Sequence, residues 1–286
     1  MIQSLNPATG EVIKTFSPHS NGEIESRLQQ AQKAFLAWSA LTFSQRAKYY
    51  NQLAKDLKNN SKIYAQTIIA EMGKPLTQAI AEVEKCAWAV EYFAQNPEFF
   101  AELPIQTEFQ KSYIRHDPLG VVLGIMPWNF PFWQVFRAAA PIIIGGNVLV
   151  VKHASNVPQS ALLIEKIFRK NKFPEGVYTA LLVEGAQTAS IIKHDAIKAV
   201  TLTGSEEAGK HVAKIAGESL KKTVLELGGS DAFIVLEDAD VEKAAQTAVL
   251  SRVINSGQSC ISAKRFIVVK KKADQFLKIF KKKCLN

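Results

Sequence analysis

The sequence has little that would mark it for a membrane or for the outside of a cell. Its three cysteines, Cys86, Cys260 and Cys284, lie far apart and give neither a disulfide framework nor a metal-binding spacing. The longest apolar run, Ala138 to Val151, is too short for a bilayer and is broken by Gly145-Gly-Asn147. The start, Met1-Ile-Gln-Ser-Leu-Asn-Pro7, lacks the basic and apolar regions of a secretory signal. These absences predict a protein of the reducing cytoplasm that stays out of the membrane. The sequence also lacks a G-x-G-x-x-G dinucleotide fingerprint, internal repeats and low-complexity linkers.

What is present is a chain of 286 residues, 47% of them apolar, enough for a sizeable core. The net charge of +9 suggests a polyanion partner until it is located. Nearly all of it lies in Lys264 to Asn286, where nine basic residues accompany one acid, Asp274. There the lysines interleave with Phe276, Leu277, Ile279 and Phe280 at helical spacing. The pattern predicts a helix with one wet face and one exposed apolar stripe, and argues against nucleic acid as a partner.

Helices are expected at 21–38, 44–59, 61–72 and 76–99, followed by short strands at 112–116 and 121–126. From there strands near 147–152, 178–183, 197–203, 222–227, 232–236 and 264–270 alternate with helices. That alternation predicts an α/β fold, an open parallel sheet with helices on both faces.

Five segments carry candidate chemistry. In Asn255-Ser-Gly-Gln-Ser-Cys260 a lone cysteine sits in a Gly/Ser-rich bend, where small neighbours would let an electrophile approach a thiolate. A buried structural cysteine is the alternative. In Met126-Pro-Trp-Asn-Phe-Pro131 an apolar strand turns into a helix, with Asn129 at the corner between two prolines and two aromatics. Its amide could donate to an oxyanion, or the segment could simply be a turn. Thr223-Val-Leu-Glu-Leu-Gly-Gly229 places Glu226 among apolar residues, where burial would raise its pKa and suit it to act as a general base. An ordinary solvated strand-end charge is the alternative. The stretch from Ala196 to Lys210 reads as strand, Gly204-Ser205 and helix, an order that makes an anion site from backbone N–H groups. Val148-Leu-Val-Val-Lys152 ends a buried strand on a lysine placed to meet a nucleotide or solvent.

Taken together these segments resemble the aldehyde dehydrogenase superfamily, from Asn6-Pro-Ala-Thr-Gly-Glu11 to Lys264-Arg-Phe266. The resemblance implies Cys260 as nucleophile, Asn129 as oxyanion donor and Glu226 as general base. It also implies that Lys152 contacts the adenosine ribose and that Gly204 and Ser205 border the pyrophosphate, using the Gly204 to Gly209 spacing. Trp128, beside Asn129, joins the cofactor-contact set. The implied reaction is oxidation of a small-molecule aldehyde to the acid through a thioester on Cys260.

NAD-preferring members tend to carry a glutamate three residues after the lysine, where this sequence has Ser155, so the implied cofactor is NADP or NAD. Within the superfamily the resemblance is strongest to bacterial succinate-semialdehyde dehydrogenases, through Phe130-Pro-Phe-Trp-Gln-Val-Phe-Arg137 and Lys152-His-Ala-Ser-Asn-Val-Pro158. On a helix Phe130, Trp133 and Arg137 would share a face. Arg137 is then a candidate for a substrate carboxylate, with Trp133 as a wall, and a flank arginine paired with a neighbouring acid is the alternative.

Residues 1–252 are expected to form the NAD(P)-binding domain, with oligomerisation-type strands at about 111–126, and 253–286 the first elements of a second α/β catalytic domain. Complete members are homo-oligomers with a later Glu-x-Phe-x-Pro segment absent here. The sequence is therefore read as a truncated or frameshifted product, with a non-catalytic NAD(P)-binding fragment as the rival reading.

Overall fold

The runs at 121–126 and 148–151 contain no polar side chain because both faces of these strands are covered. In a computed structural model of the protein, which describes residues 1–284, they form strands β5 (Val121–Met126) and β6 (Val148–His153) at the heart of a five-stranded parallel sheet. The chain reaches it through an N-terminal hairpin, β1 (Ile2–Leu5) and β2 (Val12–Phe16), and four helices. These are α1 (Asn21–Ser39), α2 (Phe43–Asn59), α3 (Ser61–Met72) and α4 (Leu76–Gln95). A short ladder of β3 (Leu103–Pro104) and β4 (Tyr113–Ile114) precedes β5.

After β5 come α5 (Trp133–Ile144), β6, α6 (Pro158–Lys170), β7 (Tyr178–Leu181), α7 (Gly185–Lys193), β8 (Ile197–Thr203), α8 (Glu206–Glu218) and β9 (Lys222–Glu226). The strand order is β7-β6-β5-β8-β9, so the chain winds outward from β5 first to one side and then to the other. Register pairs Met126 with His153, Ile125 with Leu202 and Thr203 with Glu226, which brings the carboxyl ends of the strands to one edge of the sheet. The order reverses between β5 and β8, and in open parallel sheets such a switch point opens a ligand crevice at that edge.

The N-terminal helices anchor the sheet side through the end of α5. Its last carbonyls have no partner within the helix. Trp38 Nε1 donates to Ile143 O at 2.7 Å, Arg46 Nε to Ile144 O at 2.6 Å, and Asn147 N to Ile142 O at 3.2 Å.

Two compact units result, Met1–Glu226 and Leu227–Asn286; the division falls ahead of the 252/253 boundary expected from the sequence. The second unit holds β10 (Ala232–Val235), α9 (Val241–Val253), β11 (Arg265–Val268) and α10 (Lys270–Cys284), with β10 and β11 paired in parallel. Among the described residues no helix is long and apolar enough to cross a membrane.

Several expectations need correction. The hairpin β1–β2 was not foreseen, and α4 stops at Gln95 because Pro97 cannot continue it; a 3-10 turn covers Pro97–Phe100. Helix α5 begins at Trp133, so Phe130 lies before it and shares no helical face with Trp133 and Arg137. The stripe on α10 is not exposed as a whole. Phe276 is buried, and Ile279 and Phe280 pack with it against Val235, Val241, Ala245 and Ala248, leaving Leu277 in solvent. The expected partner surface is supplied by the same unit.

Candidate active site

Asn129 stands at the apex of the turn between β5 and α5. Each side of that turn is fixed from outside. Ala154 N donates to Met126 O at 2.8 Å, and the buried His153 donates from Nε2 to Pro131 O at 2.9 Å. At the start of α5 Glu82 Oε1 accepts from Phe132 N at 2.9 Å and Trp133 N at 3.0 Å, while its other oxygen pairs with Lys74. Both charged side chains are 1% exposed. The Lys74 ammonium also lies 4.2 Å from the centre of the Phe130 ring. Asn129 is half-buried and Trp128 is exposed beside it.

At the end of β6, Lys152 is half-buried. Desolvation lowers its pKa, and among the described residues it forms no ion pair. Ser155 is exposed in the loop that follows. The N-terminus of α6 is already occupied by a carboxylate: Glu71 accepts from Gln159 N, Ser160 N and Ser160 Oγ, each at 2.8 Å. Burial raises the Glu71 pKa while these bonds oppose the rise. The free helix end on this edge is that of α8. There Ser205 Oγ is spent on capping, accepting from Ala208 N at 3.2 Å, and Gly204 N donates to Glu226 O at 3.0 Å. Gly209 is buried inside α8, its N–H donating to Ser205 O at 2.9 Å.

Glu226 ends β9 with its side chain 50% exposed, so the burial expected of it is corrected. The neighbouring strand leaves the carboxylate open on one side. Its partner is Arg137: Nη1 lies 3.2 Å from Glu226 Oε1, and Nη2 donates to Thr203 Oγ1 at 3.1 Å. The residue expected to meet a substrate carboxylate thus holds the residue expected to act as base. Trp133, one turn before Arg137, carries the Lys85 ammonium 4.0 Å from its ring centre.

In the second unit Cys260 is a free, half-buried thiol. The bend before it contains three successive residues in the left-handed region, Asn255, Ser256 and Gly257, a conformation that Ser256 enters only at a cost in strain. Arg252 Nη1 donates to Gly257 O at 2.9 Å, and Lys264 Nζ bridges Cys260 O at 3.1 Å and Gly229 O at 2.6 Å. A side chain at Gly257 would be strained by this left-handed backbone.

A strand-end amide, a strand-end lysine, a carboxylate at the sheet edge and a thiol in a following α/β unit are the features that pointed to one family. Residues 1–286 match the aldehyde dehydrogenase family. The chain belongs to it. A probable succinate-semialdehyde dehydrogenase [NADP(+)] of Synechocystis sp. is 49% identical over 276 residues, which cover 96% of this aldehyde dehydrogenase chain and 61% of the relative. The succinate-semialdehyde dehydrogenase [NADP(+)] of Mycobacterium avium is 49% identical over 272 residues, 93% of this chain and 58% of its own. Among solved structures, succinic semialdehyde dehydrogenase from Streptococcus pyogenes in complex with NADP+ superposes with a TM-score of 0.96 at 37% identity. That match covers 99% of this chain and 62% of the other. The chain thus spans about 60% of the length of the curated relatives it matches.

Sequence reasoning missed Glu71, Lys74, Glu82 and His153. All four are buried polar groups: Glu82, paired with Lys74, and His153 hold the backbone of 131–133, and Glu71 holds the start of α6. The one available signal was a charged residue on the apolar face of α4: Glu82 stands one residue before Val83 and four before Cys86, both fully buried.

Proposed function

We propose that this chain is the nucleotide-binding and thiol-bearing part of a cytoplasmic, NADP- or NAD-dependent succinate-semialdehyde dehydrogenase, with residues 1–252 as its NAD(P)-binding domain. The observation that carries the reading is the arrangement at the carboxyl edge of the sheet in the first unit. An amide, an unpaired half-buried lysine and an arginine–carboxylate pair follow from β5, β6 and β9.

The residues fit the cofactor. Among the described residues Lys152 forms no ion pair, Ser155 presents a hydroxyl where a carboxylate would repel a 2'-phosphate, and the first-turn N–H groups of α8 suit a pyrophosphate. Gly204, Ser205 and Gly209 shape that turn, and Trp128 flanks the corner at Asn129. When bound, the nicotinamide supplies the hydride acceptor.

The Cys260 thiolate adds to the aldehyde carbon and Asn129 donates its amide N–H to the resulting oxyanion. Collapse of the oxyanion expels hydride and leaves a thioester. Glu226 takes a proton from water, the hydroxide adds to the thioester carbon, and the Cys260 thiolate departs as succinate forms. Arg137 receives the substrate's own carboxylate, with Trp133 against the methylenes. That carboxylate replaces Glu226 on the guanidinium, so binding the correct substrate frees the base.

The test is turnover of succinate semialdehyde by the full-length protein with each nucleotide. Cys260→Ser is expected to abolish it, and Ser155→Glu to raise the Michaelis constant for NADP far more than for NAD. Turnover unchanged in Cys260→Ser would refute the reading. Nucleotide binding by the 286-residue chain alone would show that these residues supply that site.

A further inference from the structure

We propose that Lys74, Glu82 and His153 are positioning residues for the oxyanion-binding amide, acting through Asn129 by fixing the backbone of residues 130–133. The proposal rests on the reading of Asn129 as the oxyanion donor. An amide in that role contributes only where its N–H already points at the developing charge, and an error of about 1 Å costs on the order of 10²-fold in rate. Pro127 and Pro131 have no N–H, so they add no donor to a local ladder at the apex. The flanks add fixation of their own.

It comes from three buried groups on other elements. Glu82 of α4 takes two successive N–H groups at the start of α5 on one oxygen, which sets both the position and the direction of the helix. Lys74, from the turn between α3 and α4, neutralises the other oxygen and lies against the Phe130 ring. His153, the last residue of β6, donates to the Pro131 carbonyl. It is completely buried, and desolvation brings its pKa down to about 4, with the Pro131 bond opposing and Lys152 adding to the fall. It is therefore neutral at physiological pH. The carbonyl partner puts the single proton on Nε2, and Nδ1 is buried without a hydrogen-bond partner.

Stability alone does not explain this set. A buried ion pair is typically no better for folding than two well-packed apolar side chains, and His153 buries a ring nitrogen that pairs with nothing. What the three groups share is their target: four consecutive residues directly after Asn129, each held at a ring, a carbonyl or an N–H.

The experiment compares His153→Leu, which cannot donate, with His153→Gln, which can, in the full-length protein. His153→Leu should slow the first hydride transfer roughly tenfold or more while leaving the Michaelis constant for the nucleotide within about twofold. His153→Gln should recover most of the loss. On an Asn129→Ala background His153→Leu should cost less than about twofold, because a residue acting through Asn129 has nothing left to position. An equal loss on both backgrounds, or no loss in His153→Leu, overturns the proposal. Full activity in Asn129→Ala removes the underlying reading and the proposal with it.

Hydrogen exchange on the 286-residue chain gives a second readout that needs no activity. The Phe132 and Trp133 amides should exchange faster in the double variant Lys74→Met/Glu82→Leu, which removes their acceptor, with the β5–β6 ladder unchanged. Unaltered exchange at those amides would also overturn the proposal.

Discussion

In the first unit β5 and β6 are buried on both faces, whereas in the second β10 and β11 bury only alternate residues, with Ile234 and Ile267 in solvent. The two candidate reactive segments differ in the same way. The Asn129 turn is propped by side chains from α4, the α3–α4 turn and β6. The Cys260 bend is held by its own neighbours, Arg252 and Lys264, and by left-handed backbone. Under the proposed mechanism the contrast places backbone held by distant elements on the oxyanion side and backbone held by near neighbours on the thiol side.

The largest expected effect comes from breaking the second unit's single-faced core. Among the described residues Phe276 is the large aromatic side chain buried in it, so Phe276→Ala should cost about 3–5 kcal/mol and melt that unit while the five-stranded sheet persists. Hydrogen exchange resolved by segment checks this, and uniform loss of protection in both units would contradict it.

Next in size is the titration of His153. Its pKa is lowered from 6.5 to about 4, so the unfolded chain takes up a proton first as the pH falls. The stabilisation is complete above about pH 6.5 and is lost as the pH drops towards 4, amounting to about 3 kcal/mol over that window. Denaturant midpoints should show this slope in the parent protein and lose it in His153→Leu.

The smallest effect tests the self-held bend. Ser256→Gly relieves a left-handed residue and should stabilise the second unit by about 1 kcal/mol. If strain there positions Cys260, thioester formation should slow even as stability rises.

Much of the fold was legible because strands covered on both faces leave continuous apolar runs, as at Val121–Met126 and Val148–Val151. The hairpin was not, since β2 buries no residue fully and so carries no pattern. The helical stripe at Phe276, Ile279 and Phe280 was read correctly as apolar but expected to be exposed, because spacing shows an apolar face without showing what covers it. In the site, Asn129, Lys152, Glu226 and Cys260 stood out as polar residues where apolar elements end. The burial of Glu226 was misjudged, since nothing in Thr223–Gly229 reveals that β9 is the edge strand of its sheet. Lys74, between two expected helices, and Glu82, within one, drew no assignment, because the amides Glu82 receives lie 50 and 51 residues further along the chain.

The central claim is that the acyl group passes through Cys260 and is released by Glu226. The most direct measurement uses full-length protein carrying Glu226→Gln, mixed with succinate semialdehyde and NADP and analysed by peptide mass spectrometry after quenching. The account predicts one equivalent of reduced nucleotide and a succinyl group on the peptide containing Cys260. Reduced nucleotide formed with that peptide unmodified, or with the acyl group on another residue, would contradict it.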